Sequence, residues 1–408
     1  MTWRHIPPAA APVLASDLLA GVVGATRPSD MLRVFEEGFA NAQGVLRAWG
    51  VSSGRAALTV ALRSLRELSP RSSVVIPAFT CFSVPAAIVR AGLDVVGCDI
   101  DSATLDFDYQ QLASVLERER PLAVVATHLF GLPGSVQRIK ALCDKYGTFV
   151  IDDAAQALGT TVDGRPAGTT GHIGFYSFGR GKSVTCGSGG VIVASSPQIV
   201  AAVDRQLAVL DEPGSVQAAT ALAEATALAV FLRPSLYRIP ASVPGLHLGE
   251  TIYSVDFPVR RMSGVQAGLL THWRVRLTAW NDARRENVSY FRRAIPALVP
   301  SRATTCIRLP VVCESREARD WLVSVGREHR LGISLMYPTA VNSIAELRGT
   351  VGQHAFPSAE RVAERLLTIP VHPWLGPRDR ERLVRLLSSQ PARATKPITT
   401  HPHLTPSR

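Results

Sequence analysis

The sequence predicts an α/β protein: a large domain on a mostly parallel sheet, followed by a smaller C-terminal α/β unit. Three observations carry this. From Ser53 to about Ala194, short β-branched runs alternate with helix-patterned stretches. The runs are continuously apolar, as strands covered on both faces are. From about Arg260 to Ile295 the chain reads as one long helix stopped by Pro296, and a shorter α/β pattern continues from about Pro300 to Leu387.

Residues 1–50 form an N-terminal segment ahead of this pattern, and 51–260 form the large domain. Within it, Val74-Val-Ile-Pro77 is a strand, Ala86 to Ala91 a helix and Val95-Val-Gly-Cys98 the next strand. Leu122-Ala-Val-Val-Ala126 is a strand, Val136 to Tyr146 a helix, Thr148-Phe-Val-Ile151 a strand ending in acids, and Gly190-Val-Ile-Val193 a further strand. Such sheets bind ligands at the carboxyl ends of their strands. A helical insertion covers about 214–250. Its apolar stretch, Val216 to Leu232, carries Gln217 and Glu224. A bilayer span needs ~20 strongly apolar residues, so this is a packing helix, with peripheral contact to a membrane surface as the other reading. Residues 261–390 hold the linking helix and small domain. The Pro-, Thr- and His-rich stretch 391–408 reads as a disordered tail.

The chain has 408 residues, 46% hydrophobic and 19% charged. That composition excludes a disordered chain. Forty-four Lys and Arg against 33 Asp and Glu leave a net charge of +11, which suits anionic partners such as nucleotides, phosphorylated substrates or an anionic membrane. Aromatic and basic residues do not interleave as they do on single-strand-binding surfaces, so no nucleic-acid partner is expected. The six cysteines form no C-x-x-C pair, so no metal site is expected. A long, cysteine-poor chain without a signal-peptide pattern is read as cytoplasmic, with free thiols.

Chemistry concentrates in Val150-Ile-Asp-Asp-Ala-Ala-Gln156 and Phe175-Tyr-Ser-Phe-Gly-Arg-Gly-Lys182. Asp152 and Asp153 end a buried strand, where two adjacent acids repel and call for a cationic partner. Lys182 follows in a Gly- and Ser-rich loop. Were Arg180 close in space, it would favour the neutral amine. A neutral lysine attacks carbonyls, the requirement for Schiff-base chemistry. Pyridoxal phosphate enzymes need such a lysine, an acid on the pyridinium nitrogen and a phosphate cradle, often at a helix N-terminus. Ser52-Ser-Gly-Arg-Ala-Ala57 opens a helix and fits the last demand.

The order Ser53-Gly-Arg-Ala-Ala-Leu58, Ile76-Pro-Ala-Phe-Thr80, Asp152-Asp-Ala-Ala-Gln156, Ser177 five residues before Lys182, then Gly189-Gly190 resembles the DegT/StrS-type sugar aminotransferases. Thr127-His-Leu-Phe-Gly131 and Leu366-Leu-Thr-Ile-Pro-Val-His372 resemble that family's pattern too, and the similarity runs from about Val51 to Leu387. The resemblance implies a fold-type-I aminotransferase with a seven-stranded sheet, pyridoxal 5'-phosphate as cofactor, and a homodimer. The substrates it implies are a nucleotide-linked keto-sugar and an amino acid donor, glutamate in particular, in polysaccharide or antibiotic-sugar formation. By the same carry-over, Lys182 holds the cofactor as a Schiff base and shuttles a proton, and Asp153 keeps the pyridine nitrogen protonated. Gln156 contacts the ring side. Ser177 and the backbone at Gly54, Arg55 and Ala56 hold the phosphate. Asp152 is not taken as catalytic. His128 and His372, in apolar surroundings, read as structural.

Two positions depart from the family pattern. Cys81 stands where many members place an aromatic ring on the cofactor; the adjacent Phe82 would point elsewhere. In Phe257-Pro-Val-Arg-Arg-Met262, Val259 replaces an asparagine that reaches the neighbouring subunit's phosphate, leaving Arg260 as a substitute. These keep a cofactor-binding sensor among the alternatives. A sugar dehydratase on the same fold is disfavoured because those relatives lack the lysine. A nicotinamide dehydrogenase is disfavoured because no G-x-G-x-x-G follows the first strand.

Overall fold

The computed structural model describes residues 4–243, 251–351 and 354–389. The expected tail at 391–408 and positions 244–250 of the insertion lie outside the described residues.

The strands are β1 (Arg47–Val51), β2 (Ser73–Pro77), β3 (Asp94–Cys98), β4 (Ala123–Thr127), β5 (Phe149–Asp153), β6 (Thr161–Val162), β7 (Arg165–Pro166), β8 (Ile173–Ser177), β9 (Gly190–Ala194), β10 (Arg308–Val312) and β11 (Leu366–Pro370). Seven of them form one sheet in the order β1-β9-β8-β5-β4-β2-β3. The five from β8 to β3 run parallel, with Thr127 opposite Asp153 and Asp153 opposite Phe175. Strand β9 is antiparallel to both β8 and β1. The mostly parallel sheet of the sequence reading is present, with its antiparallel strand near one edge. β6 and β7 make a small hairpin, and β10 pairs antiparallel with β11 in the C-terminal unit.

The N-terminal segment is part of the fold. It holds helices Ala15–Thr26 and Pro28–Gln43 and contributes β1 to the main sheet. Phe35 and Phe39 pack edge-on against Phe178, and Phe39 also meets Tyr176, closing a second apolar core on that face. The insertion is helical over Ser215–Phe231, with Ala221, Ala225 and Ala229 buried. No helix among the described residues is long and apolar enough to cross a membrane.

The single long helix expected from Arg260 is two helices, Gly264–Leu269 and Trp273–Ala294. Residues 260–262 are instead drawn along β1, where Ser52 N donates to Arg260 O at 2.9 Å and Met262 N to Gly50 O at 3.1 Å. Ser263 then caps the first helix, its Oγ accepting from Gln266 N at 3.2 Å. Arg276 Nη2 donates to Leu269 O at 2.7 Å, satisfying a carbonyl at that helix's end. The second helix stops before Ile295-Pro296, as a residue preceding proline favours.

Candidate active site

The carboxyl ends of β4, β5 and β8 bring Thr127, Asp153 and Ser177 to one edge of the sheet. The two adjacent acids there face different surroundings. Asp152 is fully buried and paired with His128, whose Nε2 lies 2.9 Å from Asp152 Oδ1. Gly134 N donates to His128 Nδ1 at 2.8 Å, so the ring proton sits on Nε2 and is given to Asp152. Asp152 Oδ2 also accepts from Thr170 N at 2.9 Å and Gly171 N at 3.4 Å. Asp152 and His128 therefore hold the sheet edge together.

Asp153 takes other partners, and the charge of Lys182 acts on it. It is 4% exposed. Its Oδ1 accepts from Ala155 N at 3.0 Å, and Thr127 Oγ1 donates to its Oδ2 at 3.5 Å. Burial pushes this carboxyl up to about 6, opposed by the Ala155 amide and by Lys182. Lys182 is partly buried, and desolvation holds its amine below the ordinary lysine value. Cys81 and Asp153 pull that value up, and the charge of Arg308 pulls it down. Arg180, the cation nearest in sequence, is exposed; Arg308, from β10, is the one acting on the amine.

Ser177 and Gly54 make the start of helix Gly54–Leu68 into a cradle. A Cβ on Gly54 would lie 2.8 Å from Ser177 Cβ and 2.9 Å from its Oγ, so only glycine admits the serine there. Ser53 caps the helix by accepting from Ala56 N at 3.1 Å. Ala56 is thus engaged in the cap, and the Gly54 and Arg55 amides stand at the first turn, where intrahelical acceptors are lacking. The Arg55 guanidinium lies 4.6 Å over the Phe257 ring. Arg260 pairs with Ser52 through its backbone, two residues from Gly54, and Val259 packs on the core.

Gln156 is tied at both ends. Its Oε1 accepts from Phe130 N at 2.8 Å, and its Nε2 donates to Tyr337 Oη at 2.7 Å. Each end keeps one further hydrogen-bonding site, a second N–H on Nε2 and a second lone pair on Oε1. Cys81 is partly buried, and the Tyr337 hydroxyl responds to it. Phe82 is buried in the core, as the one-residue shift predicts. His372 donates from Nε2 to Pro7 O at 2.9 Å, and burial lowers its pKa to about 4.

Sequence reasoning missed Arg308 and Tyr337. Arg308 is 7% exposed, donates from Nη1 to Ser334 Oγ at 2.8 Å, and has a buried Nε without a partner. It faces no carboxylate among the described residues. Its one signal in the sequence is a guanidinium within the apolar run Ile307-Arg-Leu-Pro-Val-Val312.

A desolvated amine, a buried carboxyl and a helix-start cradle shaped by Gly54 fit pyridoxal phosphate. Among the described residues, no group of three His, Cys, Asp or Glu side chains could hold a metal ion.

Known proteins are similar to this chain in sequence and fold. The chain is 26% identical over 350 residues, 84% of each protein, to UDP-N-acetyl-3-dehydro-alpha-D-glucosamine 3-aminotransferase of Acidithiobacillus ferrooxidans. It is 32% identical over 166 residues, 41% of this chain and 45% of the other, to GDP-perosamine synthase of Vibrio cholerae. A DegT DnrJ EryC1 StrS aminotransferase from Brucella abortus has the same fold, with a TM-score of 0.72 and 22% identity over 91% of this chain and 94% of that one. The sequence profile of one family spans residues 24–388, which include the cradle, the acid pair, Lys182 and Arg308. By that match the chain belongs to the DegT/DnrJ/EryC1/StrS aminotransferase family.

Proposed function

We propose that this protein is a pyridoxal phosphate-dependent aminotransferase that moves an amino group from an amino acid, glutamate first, to a nucleotide-linked keto-sugar. On this reading it serves polysaccharide or antibiotic-sugar formation and works as a cytoplasmic homodimer. The observation that carries the reading is Lys182: a desolvated amine in the loop after Ser177, subject to the charges of Asp153 and Arg308. Lowering an amine's pKa enlarges the neutral fraction that acts as nucleophile and base.

When bound, the cofactor supplies an electron sink. Ser177 Oγ and the first-turn amides of helix Gly54–Leu68 hold its phosphate. Asp153 holds a proton on the ring nitrogen. Gln156 and Cys81 would line the side of the site that takes the ring. Lys182 would hold the cofactor, and its Nζ would take and return the proton of the donor's α-carbon. Arg308 gives the donor's carboxylate a planar, bidentate partner. The relatives named for UDP- and GDP-sugars, together with the net charge of +11, favour a nucleotide sugar as acceptor.

The test has two stages. Borohydride should trap the cofactor on Lys182 by peptide mass spectrometry. Amino acids should then be supplied singly, followed by a panel of nucleotide keto-sugars, with amino-group transfer read by mass spectrometry. A trapped adduct on another lysine, or a deoxygenated sugar formed without amino transfer, overturns the reading.

A further inference from the structure

Arg284 takes no part in the chemistry above, yet it touches the backbone of Lys182. It lies on helix Trp273–Ala294 and is 1% exposed. Its Nη1 donates to Ser183 O at 3.0 Å and to Asn281 Oδ1 at 2.9 Å, and its Nη2 donates to Lys182 O and Ala10 O, each at 3.4 Å. Burial lowers its pKa to about 10, so it stays charged at neutral pH. No carboxylate among the described residues meets it. A buried charge solvated by neutral carbonyls alone is costly, and a packed apolar side chain avoids that cost.

The neighbouring Arg276 makes the contrast. Eight residues earlier on the same helix, its Nη1 donates to Thr185 O at 3.4 Å, but Asp17 Oδ2 lies 3.1 Å from the same Nη1. Arg276 is half of an ion pair that also touches the loop. Arg284 has only carbonyls, and two of them belong to Lys182 and Ser183. Of the other two, Asn281 Oδ1 is on the same helix and Ala10 O lies on the segment 4–13. That segment is fixed at Ile6 N to Arg330 O, 3.0 Å, and at Pro7 O to His372 Nε2, 2.9 Å. Its Ala9 methyl would lie 3.2 Å from a Cβ at Gly181, next to Lys182.

We propose that Arg284 is a positioning residue for Lys182: its fork joins the Lys182–Ser183 backbone to the N-terminal segment and so fixes where the amine stands relative to Asp153. The loop between β8 and β9 has no regular structure, so its buried carbonyls need donors from outside. The Nη1 and Nη2 groups of Arg284, held in one plane, meet that need at Lys182 and Ser183 and fix direction as well, while its buried Nε has no partner. The inference rests on the role proposed for Lys182.

The test uses the full-length protein with Arg284→Lys and Arg284→Met. In the loaded enzyme, Arg284→Met should slow the amino-donor half-reaction about 10²-fold, the effect of a misplacement of about 1 Å, with the donor's half-saturating concentration nearly unchanged. Arg284→Lys, which keeps the charge and part of the fork, should recover part of the rate. In the cofactor-free protein, Lys182 should react with an amine-acylating reagent about tenfold faster in Arg284→Met, as a locally loosened loop does, with its labelling profile moved along the pH axis. A lowered melting temperature combined with wild-type half-reaction rate and wild-type Lys182 labelling would make Arg284 merely structural and overturn the proposal. Should Arg284→Met fail to fold, Arg284→Lys decides alone, and a wild-type rate and labelling profile overturn it. If the wild-type protein transfers no amino group, the reading of the function fails, while the labelling experiment still judges Arg284.

Discussion

Gly54 and Ser177 touch: a Cβ on the glycine would stand 2.8 Å from the serine Cβ and 2.9 Å from its Oγ. The contact joins the first residue of a helix to the last residue of β8, and both ends bear on the proposed phosphate cradle. Gly54→Ala should push Ser177 away. Overpacking of this kind costs ~1–3 kcal/mol. Cofactor affinity should fall by about 5–150-fold, with smaller loss of fold stability. Equilibrium dialysis of the cofactor measures it, and an unchanged dissociation constant would remove Ser177 from the cradle.

The two adjacent acids should separate cleanly in mutants. Asp152→Asn puts an amide where His128 Nε2, Thr170 N and Gly171 N all donate, leaving donors facing one another. It should lower stability by ~1–3 kcal/mol, and cofactor affinity should follow only through that loss. Asp153→Asn should keep the fold and lose most cofactor affinity and turnover. Thermal unfolding of the cofactor-free proteins, beside cofactor titration, distinguishes them; matching effects in the two variants would show that the wrong acid was assigned.

Much of this was legible in the sequence, and the reasons are local. Strands β2 to β5 are apolar runs because helices cover both faces of the sheet, so their composition announces them. Asp153 and Ser177 sit at strand ends and Lys182 in the loop that follows, in a fixed order. Strand β1, Arg-Ala-Trp-Gly-Val, has no such run; it is a strand because β9 and residues 260–262 pair with it. The same pairing broke the expected long helix. Arg308 and Tyr337 come from the C-terminal unit, and no spacing near Lys182 points to them. Arg284 looks like one of many surface arginines on a polar helix until its carbonyl partners are seen.

The raised pKa of Asp153 has a direction that can be measured. Between 3.8 and about 6 the folded protein holds a proton that the unfolded chain has released. Stability contributed by this group is therefore complete below 3.8 and is lost as pH rises through about 6, in all about 3 kcal/mol. In the cofactor-free protein, wild type should lose stability relative to Asp153→Asn across that window. Denaturant midpoints of the two proteins measured at several pH values should diverge as pH rises; parallel curves would mean that Asp153 titrates normally.

Arg308 offers the sharpest test of how the donor is held. Its Nη1 is spent on Ser334, its Nε is buried without a partner, and no acid among the described residues neutralises it. A buried cation in that condition costs stability unless an anion arrives. Arg308→Met should therefore leave the melting temperature of the cofactor-free protein unchanged or raise it. The same change should weaken the donor. A hydrogen bond to a charged group contributes ~1.5–3 kcal/mol, so the donor's kcat/KM should fall by about 10–150-fold. Arg308→Lys should recover only part, because an ammonium lacks the planar fork. Glutarate, a dicarboxylate without the amino group, should bind the loaded wild type and compete with the donor, and should bind Arg308→Met far more weakly. Binding of the free nucleoside diphosphate should be the same in both, since that end of the acceptor is not assigned to Arg308. If glutarate binds wild type and Arg308→Met alike, the donor's carboxylate lies elsewhere; if the nucleotide weakens instead, the anion received by Arg308 is the acceptor's diphosphate.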